Sequence, residues 1–271
     1  MRRVRRAAGR RPGEPLEEDD WAAVLAMHGT RSGRLIERIW KALPATTRCF
    51  MCGAPFSRPG NVVAGPLGYR PSKMNPNLCS TCFEGSPPGG ATGTMGVLFA
   101  DLRGFTTMSA DMAPREVSAL LARFYKAAHR SLFPEAIIDK LIGDEVMALY
   151  LPWLVDSIHG PGSTPKVMLD HAQSLLAAMG YGSSDGPIAH VGIGLDYGEA
   201  YFGNVGDTEL HDLTAVGDVV NTAARLQGHA ASGEIILSAR VAVHLESVPG
   251  SPVALSLKGK TEPQPAHRVR I

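Results

Sequence analysis

The sequence predicts an α+β domain, a mostly antiparallel sheet with helices on one face, preceded by a small metal-stapled module. Three observations carry this. From residue 96 onward, β-like apolar runs alternate with helical periodicity in the order strand–helix–hairpin–helix–hairpin. All four cysteines fall in two CxxC pairs upstream of that region. Between the two lies a stretch dominated by Gly, Pro, Ser and Thr, residues 85–94, which reads as a linker.

The 271 residues are 44% hydrophobic and 20% charged, the balance of a globular protein. No apolar run approaches the roughly 18 residues of a membrane helix. The net charge of +1 hides an asymmetry. Residues 1–90 carry 14 Lys/Arg against 7 Asp/Glu, and residues 91–271 carry 13 against 19. A field attracting nucleic acid is therefore not expected, and an anion bound by the acidic C-terminal part needs local devices such as a metal ion.

Residues 1–15 read as a solvated basic tail, since the arginines are followed by Pro12-Gly13-Glu14-Pro15 rather than an apolar signal segment. A cytoplasmic location follows as the expectation. Residues 16–44 read as helical, with Trp21, Val24 and Leu25, then Leu35, Ile36, Ile39 and Trp40, at three-and-four spacings. A break is expected between Gly29 and Gly33, and this apolar stripe suits packing or dimerisation.

Residues 45–84 hold Cys49, Cys52, Cys79 and Cys82. Two CxxC pairs suit a tetrahedral Zn²⁺ site, with Gly53 in the knuckle turn and Phe50, Met51 and Phe56 as shields. Free thiols and an iron–sulfur cluster are the alternatives. The Pro- and Gly-rich spacer has little core of its own and needs a staple.

In the domain at 95–271, GVLFADL (96–102) forms a strand ending beside Asp101. Pro114 opens a helix with Val117, Leu120, Leu121, Phe124 and Ala128 on its apolar face. Residues 136–151 form a hairpin turning at Gly143-Asp144. A helix spans Ser163 to Gly180. AHVGIGLDYG and EAYFGNVG read as a second hairpin. A third helix covers about Asp218–His229, and strands follow near Gly233–Leu237 and Val253–Leu257.

Asp101 and Asp144 both fall at one edge of the sheet, and two carboxylates with nearby backbone carbonyls suit divalent cations that bridge phosphates. The Leu102-Arg103-Gly104-Phe105-Thr106 turn would aim N–H groups at a phosphate. Asn221 and Arg225 share a helix face.

With these motifs in view, FADLRGFT (99–106), DKLIGDEVMALY (139–150), VGIGLDYGEAYFGNVG (191–206) and LTAVGDVVNTAARL (213–226) resemble, in order and spacing, the class III nucleotidyl cyclases over about residues 94–271. The paired-CxxC extension is similar to one found on some bacterial members. The resemblance implies a ferredoxin-like catalytic domain that converts ATP to 3′,5′-cyclic AMP and pyrophosphate. It further implies Mg²⁺ or Mn²⁺ at Asp101, Asp144 and the Leu102 carbonyl, and Phe105 and Thr106 beside the phosphates. Lys140 and Thr214 would read the purine, Asn221 the ribose, and Arg225 the transition state. Lys258 or Lys260 would hold the terminal phosphates. It also implies a homodimer with the active site between subunits. Adenine offers an acceptor at N1 to Lys140 and an amino donor to Thr214, so ATP is favoured over GTP. Glu145 and Thr214 depart from the commonest family residues. A guanylate or mixed-specificity cyclase, a silent nucleotide sensor and a nucleic-acid-binding zinc module are the competing readings.

Overall fold

The structure, a computed structural model, describes residues 31–49, 52–72, 78–84, 89–133, 135–206 and 211–271. The expected basic tail, the Trp21 face, Phe50, Met51 and the first four linker residues lie outside the described residues. The described residues divide into two compact units. One comprises residues up to 72 with 78–92 and 201–214, and the other 93–200 with 215–271.

In the first unit, helix α1 (Arg31–Ala42) includes Gly33, and the start of the expected break, Gly29 and Thr30, lies outside the described residues. Trp40 is buried, its ring 4.9 Å from that of Tyr69, while Leu35 and Ile39 are exposed. The Arg48 guanidinium takes over the last carbonyls of α1, donating to Trp40 O at 2.8 Å and Leu43 O at 2.5 Å, and also to Gly53 O at 3.2 Å. Short helix α2 (Asn61–Ala64) lies in the spacer between the cysteine pairs, and α3 (Ser80–Glu84) carries Cys82 of the second pair.

The sheet is built from β1 (Gly89–Leu102), β2 (Ile137–Ile142), β3 (Glu145–Tyr150), β4 (Val191–Gly206), β5 (His211–Val216), β6 (Glu234–Ser238), β7 (Ser251–Leu255) and β8 (Gln264–Arg270). Its order is β2-β3-β1-β4-β6-β8-β7, with β5 paired to β4. β1–β3, β2–β3, β6–β8 and β7–β8 are antiparallel, and β4–β6 is parallel. The intervening helices are α4 (Phe105–Ala110), α5 (Pro114–Leu132), α6 (Pro152–His159), α7 (Thr164–Ala178), α8 (Asp218–His229) and the single turn α9 (Ala239–Ala242).

Four readings of the sequence need correction. Residues 89–94, taken as linker, belong to β1, because glycines at 90 and 203 let backbone approach backbone where a Cβ on Gly90 would lie 2.5 Å from Phe202 O. The two segments taken as a hairpin form one unbroken 16-residue strand, β4, which pairs with β5. Strand β8 and helix α6 had no assignment. Helices also cover both faces, not one. Residues of α5 and α7 pack with Ile193, Leu195, Ile235 and Leu237, whereas Leu226 and Ala230 of α8 pack with Ile236, Leu257 and Ala266. Strand alternation forces this split, because Ile235 and Ile236 point to opposite faces. Fully buried Leu98, Phe124, Tyr150 and Met168 lie in the larger core. Side chains of this kind each contribute roughly 1.5–3 kcal/mol.

α7 starts where expected but is capped differently. The Ser163 side chain makes no cap bond. Asp156 does the capping, accepting from Gly162 N at 2.8 Å, Thr164 N at 3.2 Å and Thr164 Oγ1 at 2.7 Å.

Candidate functional site

β1 is central in the sheet, and Asp101 stands at its end opposite Glu145 in register. The β2–β3 turn beside it is the two-residue Gly143-Asp144, with Gly143 at φ 60°, a conformation that suits glycine. The turn is tied down twice. Leu102 N donates to Asp144 O at 3.2 Å, and the Tyr125 hydroxyl of α5 donates to Gly143 O. The Asp101 and Asp144 carboxyls are neighbours, close enough for Asp144 to act on the charge of Asp101. Burial, opposed by the Arg103 guanidinium and reinforced by Asp144, holds Asp101 above the usual carboxylate range. Burial, followed by the charges of Asp101 and Asp144, does the same to Glu145. Arg103 pairs with Asp101 at 2.9 Å. Asp101, Asp144 and Glu145 thus bring like charges together beside Arg103, and their hard oxygens are of the kind a divalent cation takes.

Phe105 and Thr106 open α4 just after β1, with Gly104 preceding them at φ 70°. Lys140 lies on β2 just past a register shift. Ile138 faces Ala148 but Lys140 faces Met147, so Asp139 is the bulged residue. A bulge re-aims the side chains that follow it. Lys140 Nζ lies 3.6 Å from the buried Asp139 carboxylate. Thr214 is buried on β5 and belongs to the first unit, Lys140 to the second.

Asn221 and Arg225 project from α8. This helix lies close on β4 because of Gly194, where a Cβ would fall 2.3 Å from both Ala223 O and Gln227 N. Of the two candidate lysines in the loop before β8, Lys258 is exposed, and Lys260 Nζ donates to Asp218 Oδ1 at 2.5 Å, at the start of α8. Gly259 between them leaves room for the Arg225 guanidinium, whose Nη2 would lie 3.5 Å from a Cβ there. The structure thus gathers Asp101 with Asp144, and Lys260 with the helix of Asn221 and Arg225. Sequence reasoning passed over Arg103, Tyr125, Asp218 and Arg240. Arg103 sat inside a quoted motif. The other three have no local signal, because their partners are 18 to 44 residues away.

The four cysteines form a second site. Their Sγ atoms all lie within 4.8 Å of one another. The Cys52–Cys79 Sγ separation is 3.8 Å. That equals the edge of a tetrahedron with metal–sulfur bonds of about 2.3 Å, roughly 3.8 Å. Cys79 N donates to Cys49 Sγ at 3.2 Å and Cys82 N to Cys79 Sγ at 3.3 Å. Hydrogen bonds from the neighbouring thiols push the Cys49 thiol far down, and Cys82 is pushed up in return. The set fits a soft or borderline cation.

Residues 90–264 match the family described as the Adenylate and Guanylate cyclase catalytic domain. The chain is 34% identical over 163 residues to an adenylate cyclase of Anabaena cylindrica, covering 59% of this chain and 32% of that protein. It is 29% identical over 137 residues to adenylate cyclase 1 of Rhizobium meliloti, covering 48% of this chain and 20% of that protein. The chain thus spans a third or less of the length of these relatives. Among solved structures, the adenylyl cyclase CyaB from P. aeruginosa superposes with a TM-score of 0.55 at 22% identity, covering 67% of this chain and 96% of that one. The guanylate cyclase domain of RhGC from Catenaria anguillulae does so with 0.55 at 20%, covering 65% and 96%. No helix among the described residues is long and apolar enough to cross a membrane.

Proposed function

Because the chain belongs to the adenylate and guanylate cyclase catalytic domain family, we propose that it closes ATP to 3′,5′-cyclic AMP, releasing pyrophosphate, in a homodimer with shared sites. The observation that carries this is the meeting of Asp101 and Asp144 at one sheet edge, next to the Phe105–Thr106 helix start. These carboxylates and the Leu102 carbonyl would hold Mg²⁺ or Mn²⁺, which when bound would lower the pKa of the attacking 3′-hydroxyl and offset the charge of the triphosphate. The 3′-oxygen forms its bond to the α-phosphorus as the bond to the leaving pyrophosphate breaks. Phe105 and Thr106 N–H groups face the phosphates, Asn221 orients the ribose, and Arg225 offers its planar fork to the charge developing on phosphorus. Lys260, packed by the helix that bears Arg225, grips the terminal phosphates rather than Lys258.

Lys140 supports ATP as the substrate. Its ammonium donates to adenine N1, and the Thr214 hydroxyl accepts from the amino group. Guanine would set its N1–H against the lysine and leave both unpaired. Purified protein with Mn²⁺ should form cyclic AMP faster than cyclic GMP. Lys140→Glu combined with Thr214→Cys should lower the ATP:GTP activity ratio by at least about tenfold, the size expected when a buried donor loses its acceptor. An unchanged ratio would remove these residues from base recognition, and an absence of cyclic nucleotide would remove the enzyme reading.

The cysteine site is read as structural zinc, with one ion per chain. Metal analysis should return close to one zinc per chain and no sulfide. Cys49→Ser should lower that content and loosen residues 45–84 to protease. Iron with acid-labile sulfide in the purified protein would overturn the zinc assignment.

A further inference from the structure

On β4, Asp196 is fully buried, and its carboxylate is fully used. Oδ1 accepts from Ser238 Oγ at 2.5 Å, from Tyr197 N at 2.8 Å and from Arg240 Nε at 3.0 Å. Oδ2 pairs with Arg240 Nη2. This two-pronged grip fixes the guanidinium plane and leaves Nη1 pointing outward. Nη1 donates to Asp218 Oδ2 at 3.2 Å, and the other Asp218 oxygen holds Lys260 Nζ at 2.5 Å. Thr222 Oγ1, one turn further along α8, stands 3.5 Å from Asp218 Oδ2. The hydrogen bond from Lys260, against a smaller opposing effect of burial, holds Asp218 below the usual carboxylate range, with Arg240 adding to it.

We propose that Asp196, Arg240 and Asp218 form a relay that positions Lys260 over the first turn of α8, and that the triphosphate takes Lys260 by exchanging with Asp218. The proposal rests on the cyclase reading for the identity of the incoming anion. Each link has a physical reason. The buried end of the relay cannot wander, because Asp196 has four donors and no solvent. Arg240 transmits that fixity because its fork is rigid. Asp218 is half-exposed, so its bond to Lys260 is weak enough to exchange. When Lys260 leaves, Asp218 keeps Arg240 and is not stranded as a lone charge. Lys260 therefore waits preorganised on the surface that carries Asn221 and Arg225, and pays little rotamer entropy on meeting phosphate. Asp196, Arg240 and Asp218 are positioning residues. They act through Lys260 and touch no reacting atom.

Two measurements on the full chain test this. The first needs no enzyme activity. Reductive methylation of individual lysines is followed by peptide mass spectrometry without nucleotide. Asp218→Asn should speed labelling of Lys260 roughly two- to fivefold, the range for losing a partly exposed ion pair, while Lys258 is unchanged. The second is a double-mutant cycle in kcat/KM for ATP. Asp218→Asn should lower kcat/KM by roughly two- to fivefold in the wild-type background, mainly through KM, and leave it unchanged in a Lys260→Ala background. Arg240→Lys, which keeps a charge beside Asp196 but cannot bridge both carboxylates, should follow the same pattern. Equal losses in both backgrounds, or unaltered Lys260 labelling, would overturn the relay. A wild-type protein that makes no cyclic nucleotide would refute the enzyme reading, and the labelling result would still decide the relay.

Discussion

Asp101→Asn and Asp144→Asn should each reduce ATP cyclisation to background while leaving the protein folded. The activity loss is expected to be complete because the two carboxylates together hold the divalent cations, and a neutral amide lowers the charge of the donor set that binds them. The fold should survive because neither group supports the core. Asp101 ends its strand, and Asp144 sits in a hairpin turn held by its backbone carbonyl and by Gly143 rather than by its carboxylate. Burial and Asp144 already hold the Asp101 carboxyl above its usual range, so removing one charge relieves repulsion. The thermal midpoint should therefore be no lower than that of the wild type. Circular dichroism, a melting curve and a cyclic AMP assay suffice. Wild-type turnover by either variant would sink the metal assignment, and gross unfolding would sink the claim that these are purely functional carboxylates.

Arg225→Ala should lower turnover on the order of 10²–10³-fold, the effect of removing one preorganised stabiliser of transition-state charge. Its sharper use is in combination. In a C₂ homodimer with shared sites, the carboxylates of one protomer work with Lys140, Asn221 and Arg225 of its partner. An Asp101→Asn dimer then lacks metals in both sites, and an Arg225→Ala dimer lacks the arginine in both. A mixed dimer collects both defects in one site and neither in the other. Random pairing makes about half of the dimers mixed, so co-expression should restore about a quarter of wild-type activity. Mixed dimers that form and stay inactive would show that one protomer supplies the whole site.

The sequence was most legible where chemistry and turn signals coincide. Asp101, Gly143-Asp144, Asn221 with Arg225 and the CxxC pairs each sit in a local pattern, and the structure brings Asp101 to Asp144 and the four sulfurs together. It was least legible where tertiary packing overrides composition. Gly89–Thr94 looks like a spacer, yet it extends a strand, because glycine is what close backbone approach requires. Gly198 in the middle of β4 looks like a turn, yet it stays extended within an unbroken strand. α8 reads as an amphipathic helix, but which sheet face it covers depends on the Ile235/Ile236 alternation in a strand that follows it. The Asp196–Arg240–Asp218–Lys260 chain spans 64 residues of sequence and carries no short-range trace.

Arg48 immediately precedes the first metal-ligand candidate in the chain, and its guanidinium spans the carbonyls of Trp40, Leu43 and Gly53. The knuckle around Cys49 and the end of α1 are therefore one knot, not two neighbours. A change of occupancy at the thiolates that shifts Cys49 would also shift its neighbour Arg48, and with it a side chain that closes the end of α1. The helix is thus mechanically indexed to the sulfur cluster. The state of that cluster therefore reaches α1 through Arg48, alongside the contact of the Trp40 and Tyr69 rings.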